Sequence, residues 1–428
     1  MTIRLRRIFF SLLGIFFVIT ATVLVLYAAG WRYNFTERTV EHVGGIIIDS
    51  NPRKATVLMD GLLTDNETPA TIQNLPPGDV MISLQKDGFF SWNLPVTVIS
   101  SHTVRIPTVE LVQNDFQSEP IIRERFSDVA LSADRGFFSA YRDRLLTVYS
   151  LTSNEEAYNT TVDQPIVGLS WSAYNPELLL VLENGFTYWL DPTSPDNALQ
   201  PVNELFDENF WWMSWSVDEN SILYATSENG LFRLNTFQRT KTLISEIDNV
   251  IGVSSEYIFT SNENSLSVYS LSGKLIDTLG IKLSPQIKLF SKYSSFIPLL
   301  DEADEVLFLF DTENNTMERM SDSMRGILWD DALEHNLYFN SNEIVDWNAK
   351  NSTREIIVRS SENLQQAYWI KNRYYVAYIQ GNTAYLTEVR GPERNTYKLP
   401  YTNVSSVDFV DDTHLLLLSD GQPFLIQL

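Results

Sequence analysis

The feature that most constrains this chain is a pattern that recurs from about residue 115 to Leu428. Its two clearest copies are PIVGLSWSAYNPELLLVLENGFTYWLD, starting at Pro165, and NFWWMSWSVDENSILYATSENGLFRLN, starting at Asn209. Aligned on Ser-Trp-Ser, both contain an apolar strand, a turn, a second apolar strand, a Glu-Asn-Gly turn and an aromatic third strand. A more polar fourth strand closes each unit. Six fainter copies bring the total to eight, at intervals of about 35 to 46 residues.

Four short strands per unit at this period predict a β-propeller over residues 115–428. Eight blades follow if every copy counts, and seven is the alternative because the fourth and fifth copies are weak. The last unit stops after three strands at Leu428, and a spare strand, Ser118 to Phe126, precedes the first unit. We expect these two parts to pair, because that pairing would complete one blade and leave no open sheet edge.

The N-terminus carries a long apolar segment, Ile8 to Ala29, without a charged residue. As a helix it would be about 33 Å long, which matches a bilayer core of about 30 Å. Three arginines precede it, at Arg4, Arg6 and Arg7, so the positive-inside rule predicts a cytoplasmic N-terminus and extracytoplasmic C-terminal domains. Residues 1–30 are therefore predicted to be the cytoplasmic stub and transmembrane anchor of a single-pass cell-membrane protein, in contact with membrane lipid.

The end of this segment leaves a second interpretation open. Ala28-Ala29-Gly30 is a small-residue stretch that could serve as a cleavage site, so a cleaved signal peptide is the alternative to an uncleaved anchor. Residues 31–43 are predicted to be a linker, with Trp31 and Tyr33 placed for the membrane–water interface.

Residues 44–112 alternate short apolar runs with strong turn signals. Asp60-Gly61 is a hairpin dipeptide, and Asp87-Gly88 ends another strand-like run. About six short strands in about 68 residues predict a small antiparallel β-sandwich. Including the anchor and the propeller, the predicted fold class is mainly β.

The same stretch, residues 44–111, resembles the PEGA domain family. The residues that carry the resemblance are Ser50-Asn51-Pro52, Asp60-Gly61, Thr68-Pro69, Leu75-Pro76-Pro77-Gly78 and Asp87-Gly88-Phe89. Of the four-residue signature that names the family, Pro52-Arg53-Lys54-Ala55 keeps the outer proline and alanine. The resemblance implies a non-catalytic sandwich on a surface or envelope protein, often next to a membrane anchor.

Composition excludes several classes of function. A net charge of −23 opposes binding to phosphate backbones, so no nucleic-acid partner is expected. The absence of cysteine excludes disulfides, thiolate zinc sites and cysteine nucleophiles. The four histidines, His42, His102, His335 and His414, have no metal-ligand spacing, and no phosphate-binding or nucleophile-elbow motif occurs. We therefore predict no metal and no cofactor.

Acidic and aromatic clusters are the remaining candidates for a site. The groups Asp301, Glu302, Asp304 and Glu305, and Asp330-Asp331, are interpreted as solvated turns, although acids from different blades could meet at the propeller mouth. Trp211, Trp212 and Trp215 form the densest aromatic group. Strand alternation predicts Trp211, Met213 and Trp215 on one side and Trp212 on the other, which makes Trp212 the candidate ligand-binding residue.

These features favour a membrane-anchored cell-surface protein that binds or scaffolds and is not an enzyme. The PEGA-like sandwich would be the stalk, and the propeller would be the head that binds an envelope protein or glycan. The alternative is an extracytoplasmic glycan hydrolase or lyase with its site in the propeller mouth.

Overall fold

The computed structural model describes residues 3–28, 30–34, 39–116, 119–194, 198–262, 264–292, 295–321, 324–330, 335–348, 353–370, 374–390, 394–411 and 413–428. The chain divides into two compact units. The first contains residues 1–116 and 390–395, and the second contains residues 117–389 and 396–428.

The first unit begins with helix α1, Ile3–Ala28. At 1.5 Å per residue its 26 residues are about 39 Å long. No residue between Phe9 and Ala28 is buried, and this part is long and apolar enough to cross a membrane. A helical segment that is apolar on all sides and exposed along its length needs another apolar environment, such as a bilayer.

The predicted linker, residues 31–43, is a hairpin instead. Strand β1 (Trp31–Asn34) pairs antiparallel with β2 (Thr39–His42), and residues 35–38 lie outside the described part. Arg32 joins the hairpin to the end of α1: its guanidinium donates to the Tyr27 carbonyl at 2.6 Å and lies 3.6 Å from the centre of the Tyr27 ring. The sequence did not indicate this hairpin, because strands of four residues are too short for a clear alternation pattern.

Two sheets then form the sandwich. The antiparallel sheet has the order β6-β5-β8-β9, with β5 (Thr56–Met59), β6 (Leu62–Glu67), β8 (Gly78–Gln85) and β9 (Trp92–Val98). The other sheet has the order β10-β3-β7, with β3 (Gly44–Ile48), β7 (Ala70–Leu75) and β10 (Thr103–Arg105). A short pair, β4 (Ser50–Asn51) and β11 (Val109–Glu110), continues it.

The pairings of β10 with β3 and of β11 with β4 are parallel, which corrects the expectation of a wholly antiparallel sandwich. The chain returns after β9 to run beside its own first strands, a long-range pairing that alternation alone does not reveal. The core between the sheets includes Ile46, Ile82 and Trp92, all buried. At its edge the buried hydroxyls of Ser50 and Thr68, two of the PEGA motif positions, lie 2.6 Å apart.

The second unit consists, in its described residues, of eight antiparallel sheets in chain order, seven with four strands and the last with three. Blades one and two contain β12 (Asp128–Leu131), β13 (Phe137–Arg142), β14 (Leu145–Ser150), β15 (Glu155–Thr161), β16 (Ile166–Trp171), β17 (Leu178–Leu182), β18 (Thr187–Leu190) and β19 (Gln200–Pro201). After helix α2 (Val202–Phe206), blades three and four contain β20 (Trp212–Trp215), β21 (Ile222–Ser227), β22 (Gly230–Asn235), β23 (Thr240–Ser245), β24 (Val250–Val253), β25 (Tyr257–Asn262), β26 (Ser265–Ser270) and β27 (Leu275–Leu279).

Blades five and six contain β28 (Ile287–Leu289), β29 (Phe296–Asp301), β30 (Val306–Asp311), β31 (Thr316–Ser321), β32 (Met324–Asp330), β33 (His335–Asn340), β34 (Glu343–Asn348) and β35 (Thr353–Arg359). Blades seven and eight contain β36 (Leu364–Ile370), β37 (Tyr375–Gln380), β38 (Thr383–Glu388), β39 (Thr396–Lys398), β40 (Val404–Asp411), β41 (His414–Ser419) and β42 (Gln422–Gln427). The prediction of a propeller with eight blades is confirmed, and the two weakest sequence copies form complete blades.

The ring closes through its first strands. Neighbouring first strands lie side by side, as β36 does with β40, and β12 of blade one lies beside β40 of blade eight. The first strands therefore surround the central channel. Apolar clusters fill the spaces between blades, such as the one that joins Leu146 and Val148 of blade one to Leu178 and Leu180 of blade two.

The segment before blade one lies against the incomplete blade eight. The amide of Ile121 donates to the Pro423 carbonyl at 2.8 Å, and the amide of Phe126 donates to the Gly421 carbonyl at 2.7 Å. Phe126 is buried in the cluster that also contains Leu416 and Leu418. Residues 119–126 thus occupy the place of the predicted fourth strand without forming a regular strand; Ser118 lies outside the described residues.

Strand direction divides the propeller into two faces. Because consecutive strands in a blade are antiparallel, the connections between blades and the turns between second and third strands lie at the same end. We call this end the loop face. In blade three it is formed by residues 207–211, 228–229 and 246–249.

Candidate functional site

The central channel contains a charged pair contributed by distant parts of the chain. Asp408 lies on β40, and Arg135 lies in the turn after β12. Arg135 Nη1 donates to Asp408 Oδ1 at 3.2 Å, and the Asp408 side chain keeps 17% of its surface exposed. Burial raises the pKa of Asp408, while the Arg135 guanidinium opposes that shift. The Asp408 carboxylate is therefore engaged in an ion pair with Arg135.

Two further titratable groups act on the same region. Tyr368 lies on β36, where burial and the nearby Asp408 raise its pKa. Asp128 begins β12 and is exposed to solvent, and its Oδ1 accepts a hydrogen bond from the amide of Val129 at 2.8 Å. Partial desolvation raises the pKa of Asp128 too. Both carboxyls thus have raised pKa values, and both act electrostatically on Tyr368.

The loop face carries a different arrangement around Trp211. This side chain is 60% exposed and lines a cavity of about 600 Å³. The other lining residues come from the turn after β21 and from the connection to blade four: Ser227, Glu228, Asn229, Gly230, Glu246 and Asp248. We call this cavity the Trp211 pocket.

The connection between blades two and three holds Trp211 in this position. Helix α2 ends at Phe206, and its C-cap residue Asp207 adopts a left-handed conformation with φ 49°. The Asn203 carbonyl accepts from the amide of Glu208, and the Asn203 side chain accepts from the amide of Phe210 at 3.3 Å. Phe210 is then buried in the core between blades, and the next residue, Trp211, faces solvent.

Three carboxylates line the Trp211 pocket without a basic partner. Glu228, Glu246 and Asp248 are all exposed and make no ion pair with any residue that the structure describes. Gly230, at φ +115°, allows this arrangement because a Cβ there would collide with the Ser245 carbonyl. The close approach of these backbones brings Glu246 to the pocket.

The lysine beside Glu208 is already paired. Lys241 Nζ donates to Glu208 Oε2 at 3.2 Å and to the Asp207 carbonyl at 2.8 Å. Glu208 also accepts from Asn229 Nδ2 at 3.0 Å, and hydrogen bonds to Ser227, Lys241 and Asn229 lower its pKa. Lys241 and Glu208 thus neutralise each other beside the pocket, while the charged residues among the described lining residues are all acids.

The structure corrects the predicted sides of the three tryptophans. Trp215 and Met213 pack in the core between blades two and three, as the alternation predicts. Trp211 does not share that side, because β20 begins only at Trp212 and the alternation does not extend to the residue before it. Trp212 is half-buried and packs against the cluster of Ile222, Tyr224 and Val250 between blades three and four. A ligand role for Trp212 stays a prediction, and the exposed aromatic side chain is its neighbour.

A second cavity, in blade five, has mixed charge. It has a volume of about 560 Å³ and is lined by Lys282 and Arg319 as well as by Asp301 and Asp304. Asp301 is not the solvated turn residue that was expected: it is buried and accepts from the backbone and the hydroxyl of Ser284 at 2.7 and 2.6 Å.

The rest of the predicted acidic clusters divides between exposed and paired groups. Glu302 and Asp304 are exposed, and Glu305 is paired with Arg325 at 3.0 Å. The side chain of Asp330 and residue Asp331 lie outside the described part.

The histidines make local hydrogen bonds. His42 Nδ1 lies 2.7 Å from the Ser101 hydroxyl, His102 Nδ1 lies 2.8 Å from the Ser100 carbonyl, and His414 Nδ1 lies 3.0 Å from Asp411 Oδ1. The side chain of His335 lies outside the described part. Within the residues that the structure describes, no group of three or more acidic or histidine side chains is arranged to hold a metal ion.

One sequence signal for the pocket was present. The Glu-Asn-Gly turn recurs at the same place in blade two (Glu183-Asn184-Gly185) and in blade three (Glu228-Asn229-Gly230), and only the second turn lines the Trp211 pocket. The contribution of Glu246 and Asp248 has no such signal, because these residues follow the fourth strand, 16 or more positions further along.

Comparison with known families identifies the first unit. Residues 43–114 match the PEGA domain family, which confirms the resemblance of the sandwich. A search of the curated proteins found no match.

Comparison with solved structures concerns the second unit. The C-terminal WD40 domain of Sif2 is 10% identical with a TM-score of 0.52, over 72% of this chain and 98% of that chain. BamB from Moraxella catarrhalis is 11% identical with a TM-score of 0.47, over 72% of this chain and 99% of that chain. At these identities the likeness to the WD40 domain shows the propeller fold and nothing about a ligand.

Proposed function

We propose that this chain is a membrane-anchored extracytoplasmic binding protein whose propeller captures a protein partner on its loop face. In this proposal α1 stays in the membrane with its N-terminus in the cytoplasm, the PEGA sandwich is the stalk, and the head binds without turnover. The match to the PEGA family and the propeller fold support a binding or scaffolding role at the surface.

The observation that carries the proposal is the exposed Trp211 with its unpaired carboxylates. An exposed tryptophan in a cavity of about 600 Å³ is a typical anchor for a partner side chain. The channel differs, because Asp408 is engaged with Arg135. Loops from neighbouring blades converge at the Trp211 pocket, where propeller folds place their variable contacts.

An aromatic photo-crosslinking residue in place of Trp211, which keeps a ring at this position, tests the binding function in intact cells. We expect a discrete covalent adduct with one partner protein. The matched control carries the same crosslinker at Leu243, which is 47% exposed on the outer strand β23 of the same blade. Adducts at Leu243 but not at Trp211 would contradict binding at the loop face.

Protease treatment tests the topology. If three arginines hold the N-terminus inside, protease added to cells with a permeable outer layer should digest the propeller, and carbonate washing should leave the chain in the membrane. Protection of the propeller would contradict the orientation. A mature chain without residues 1–30 would instead show a cleaved signal peptide.

The channel supports a second candidate, an extracytoplasmic glycan hydrolase or lyase. The specific observation is that Asp408 and Asp128 lie on adjacent first strands, β40 and β12, and that burial raises the pKa of Asp408, as a general acid requires. Cleavage of an envelope glycan by the full chain, lost in both Asp128→Asn and Asp408→Asn, would favour this candidate over the binding function.

A further inference from the structure

We infer that the Trp211 pocket binds a lysine or arginine side chain from an exposed basic segment of the partner protein. The inference rests on the proposed binding function and adds the chemistry of the ligand. It follows from three properties of the pocket: its uncompensated negative charge, its exposed aromatic ring and the spacing of its acids.

Charge is the first property. Glu228, Glu246 and Asp248 contribute three negative charges, and the described residues that line the pocket include no lysine or arginine. Lys241, which reaches the pocket only through Glu208, is held by that carboxylate. The cavity in blade five is the counterexample, since Lys282 and Arg319 line it together with its two aspartates. A cationic guest is therefore attracted to the Trp211 pocket more strongly than to a cavity with balanced charge.

The ring is the second property. A tryptophan face attracts ammonium and guanidinium groups, and among the aromatic side chains it does so most strongly. The exposed ring of Trp211 thus matches the sign of charge that the three carboxylates select. An arginine can lie flat on this ring while its N–H groups donate to carboxylates at the rim.

Acid spacing is the third property, and it excludes a smaller guest. The three carboxylates do not form a group able to hold a metal ion. A metal ion needs oxygen ligands within about 2.0 to 2.6 Å of one point. A guanidinium or ammonium group on a flexible stem can instead reach acids that lie further apart across a cavity of about 600 Å³.

A neutral glycan is the competing guest. Sugars stack on tryptophan and donate their hydroxyl groups to carboxylates, so both guests would lose affinity if the carboxylates were replaced by amides. A neutral glycan carries no charge, so its binding should depend little on salt, whereas binding of a basic segment should weaken as salt increases. This difference separates the two guests experimentally.

The test uses the full chain in neutral detergent micelles and a short fluorescent peptide of alternating arginine and serine. Fluorescence anisotropy measures binding at low and at physiological salt. We expect binding to the native chain that weakens with salt. A peptide with citrulline in place of arginine keeps its shape and loses its charge, so it should not bind.

Two variants and two matched controls locate the site. We expect Trp211→Ala, and the triple change Glu228→Gln, Glu246→Gln and Asp248→Asn, each to weaken the arginine peptide about tenfold. The control for the ring is Phe237→Ala, since Phe237 is 84% exposed at the other end of blade three.

The control for charge is the triple change Glu155→Gln, Glu156→Gln and Glu313→Gln, which removes the same charge from exposed positions outside the pocket. Neither this control nor Phe237→Ala should weaken binding by more than about twofold.

Several outcomes would overturn the inference. It is wrong if the arginine peptide does not bind, if both triple variants weaken binding equally, or if a neutral oligosaccharide binds and the peptide does not displace it. If Trp211→Ala fails to fold, Trp211→Phe and the pocket triple decide the question. A persistent crosslink at position 211 together with absent peptide binding would leave the proposed function standing and reject only the basic ligand.

Discussion

The interior and the loop face of the propeller use acidic residues in opposite ways. Inside, Glu177 is buried between blades two and three, where it accepts from the Ser221 hydroxyl at 3.2 Å and from the Thr236 hydroxyl at 2.7 Å. On the loop face, Glu228 and its neighbours keep their carboxylates in solvent without a basic partner. A partnered carboxylate stabilises the position of its neighbours, whereas an unpaired one remains available for a ligand.

This difference indicates how functional carboxylates can be identified in an acidic protein. With 54 acidic residues, the presence of a carboxylate carries little information. The hydrogen-bond partners of a carboxylate are more informative than its presence. A buried acid without partners incurs a desolvation cost, whereas an exposed acid does not. The following predictions test this contrast, from the largest expected effect to the smallest.

The largest effect should come from Glu177→Ala. The change leaves the buried Ser221 hydroxyl without its acceptor and leaves the Thr236 hydroxyl only the Ser221 carbonyl, at 3.2 Å, so we expect the free energy of unfolding to fall by about 3 kcal/mol. Urea denaturation of the full chain measures it. Glu228→Ala in the pocket is the counterpart and should stay within about 0.5 kcal/mol. Equal losses in the two variants would refute the contrast.

The second largest effect on stability should distinguish the adjacent residues Trp211 and Trp212. Trp212→Ala removes a half-buried ring from the cluster of Ile222 and Val250, and should cost about 2 kcal/mol. Trp211→Ala removes an exposed ring and should leave thermal unfolding almost unchanged. If instead Trp212→Ala unfolds no earlier and abolishes partner crosslinking, Trp212 is the ligand-binding residue.

Arg135→Ala should cost about 1 to 2 kcal/mol at neutral pH, because it leaves the Asp408 carboxylate in the channel without its cation. The value is below that of a fully buried pair, since Asp408 keeps 17% of its side-chain surface exposed. Adding Asp408→Asn to this variant should restore part of the loss. A double-mutant cycle without coupling would show that the ion pair contributes nothing.

The pH dependence of stability should reveal Glu177 directly. Burial raises its pKa in the folded chain, so the folded state retains the proton to higher pH than the unfolded state. The associated stability is present below the unfolded pKa and declines as pH rises through the folded pKa. Glu177→Gln removes this decline, so its stability relative to the native chain should increase with pH. A difference that is flat between acidic and neutral pH would contradict the raised pKa.

The smallest effect is expected for the pocket triple, Glu228→Gln, Glu246→Gln and Asp248→Asn. Removing three like charges should raise stability by at most about 0.5 kcal/mol at low salt, and the gain should vanish as salt screens the repulsion. A loss of stability would mean that these carboxylates have structural partners.

Much of the architecture could be predicted from the sequence because its signals are local. The eight-unit repeat, the turn dipeptides of the PEGA stretch and the uncharged run after Arg7 all lie within short windows. Periodicity and turn chemistry depend on residues that are close in the chain, so they can be recognised in the amino-acid sequence. The hairpin of residues 31–43 was missed because each strand is only four residues long.

The candidate sites could not be predicted from the sequence, because they are formed by residues that are distant in the chain and close in the fold. Arg135 pairs with Asp408 across 273 positions, and the channel that joins them exists only when the ring is closed. Whether Trp211 or Trp212 faces solvent depended on the residue at which β20 begins. That start is fixed by Phe210 and Trp215, which both pack in the core between blades. The sequence alone determined the repeat, the turns and the apolar segment, because local propensity and pattern encode them. Only the tertiary structure decided which carboxylates gained partners and which stayed free, because burial and charge pairing are properties of the assembled fold.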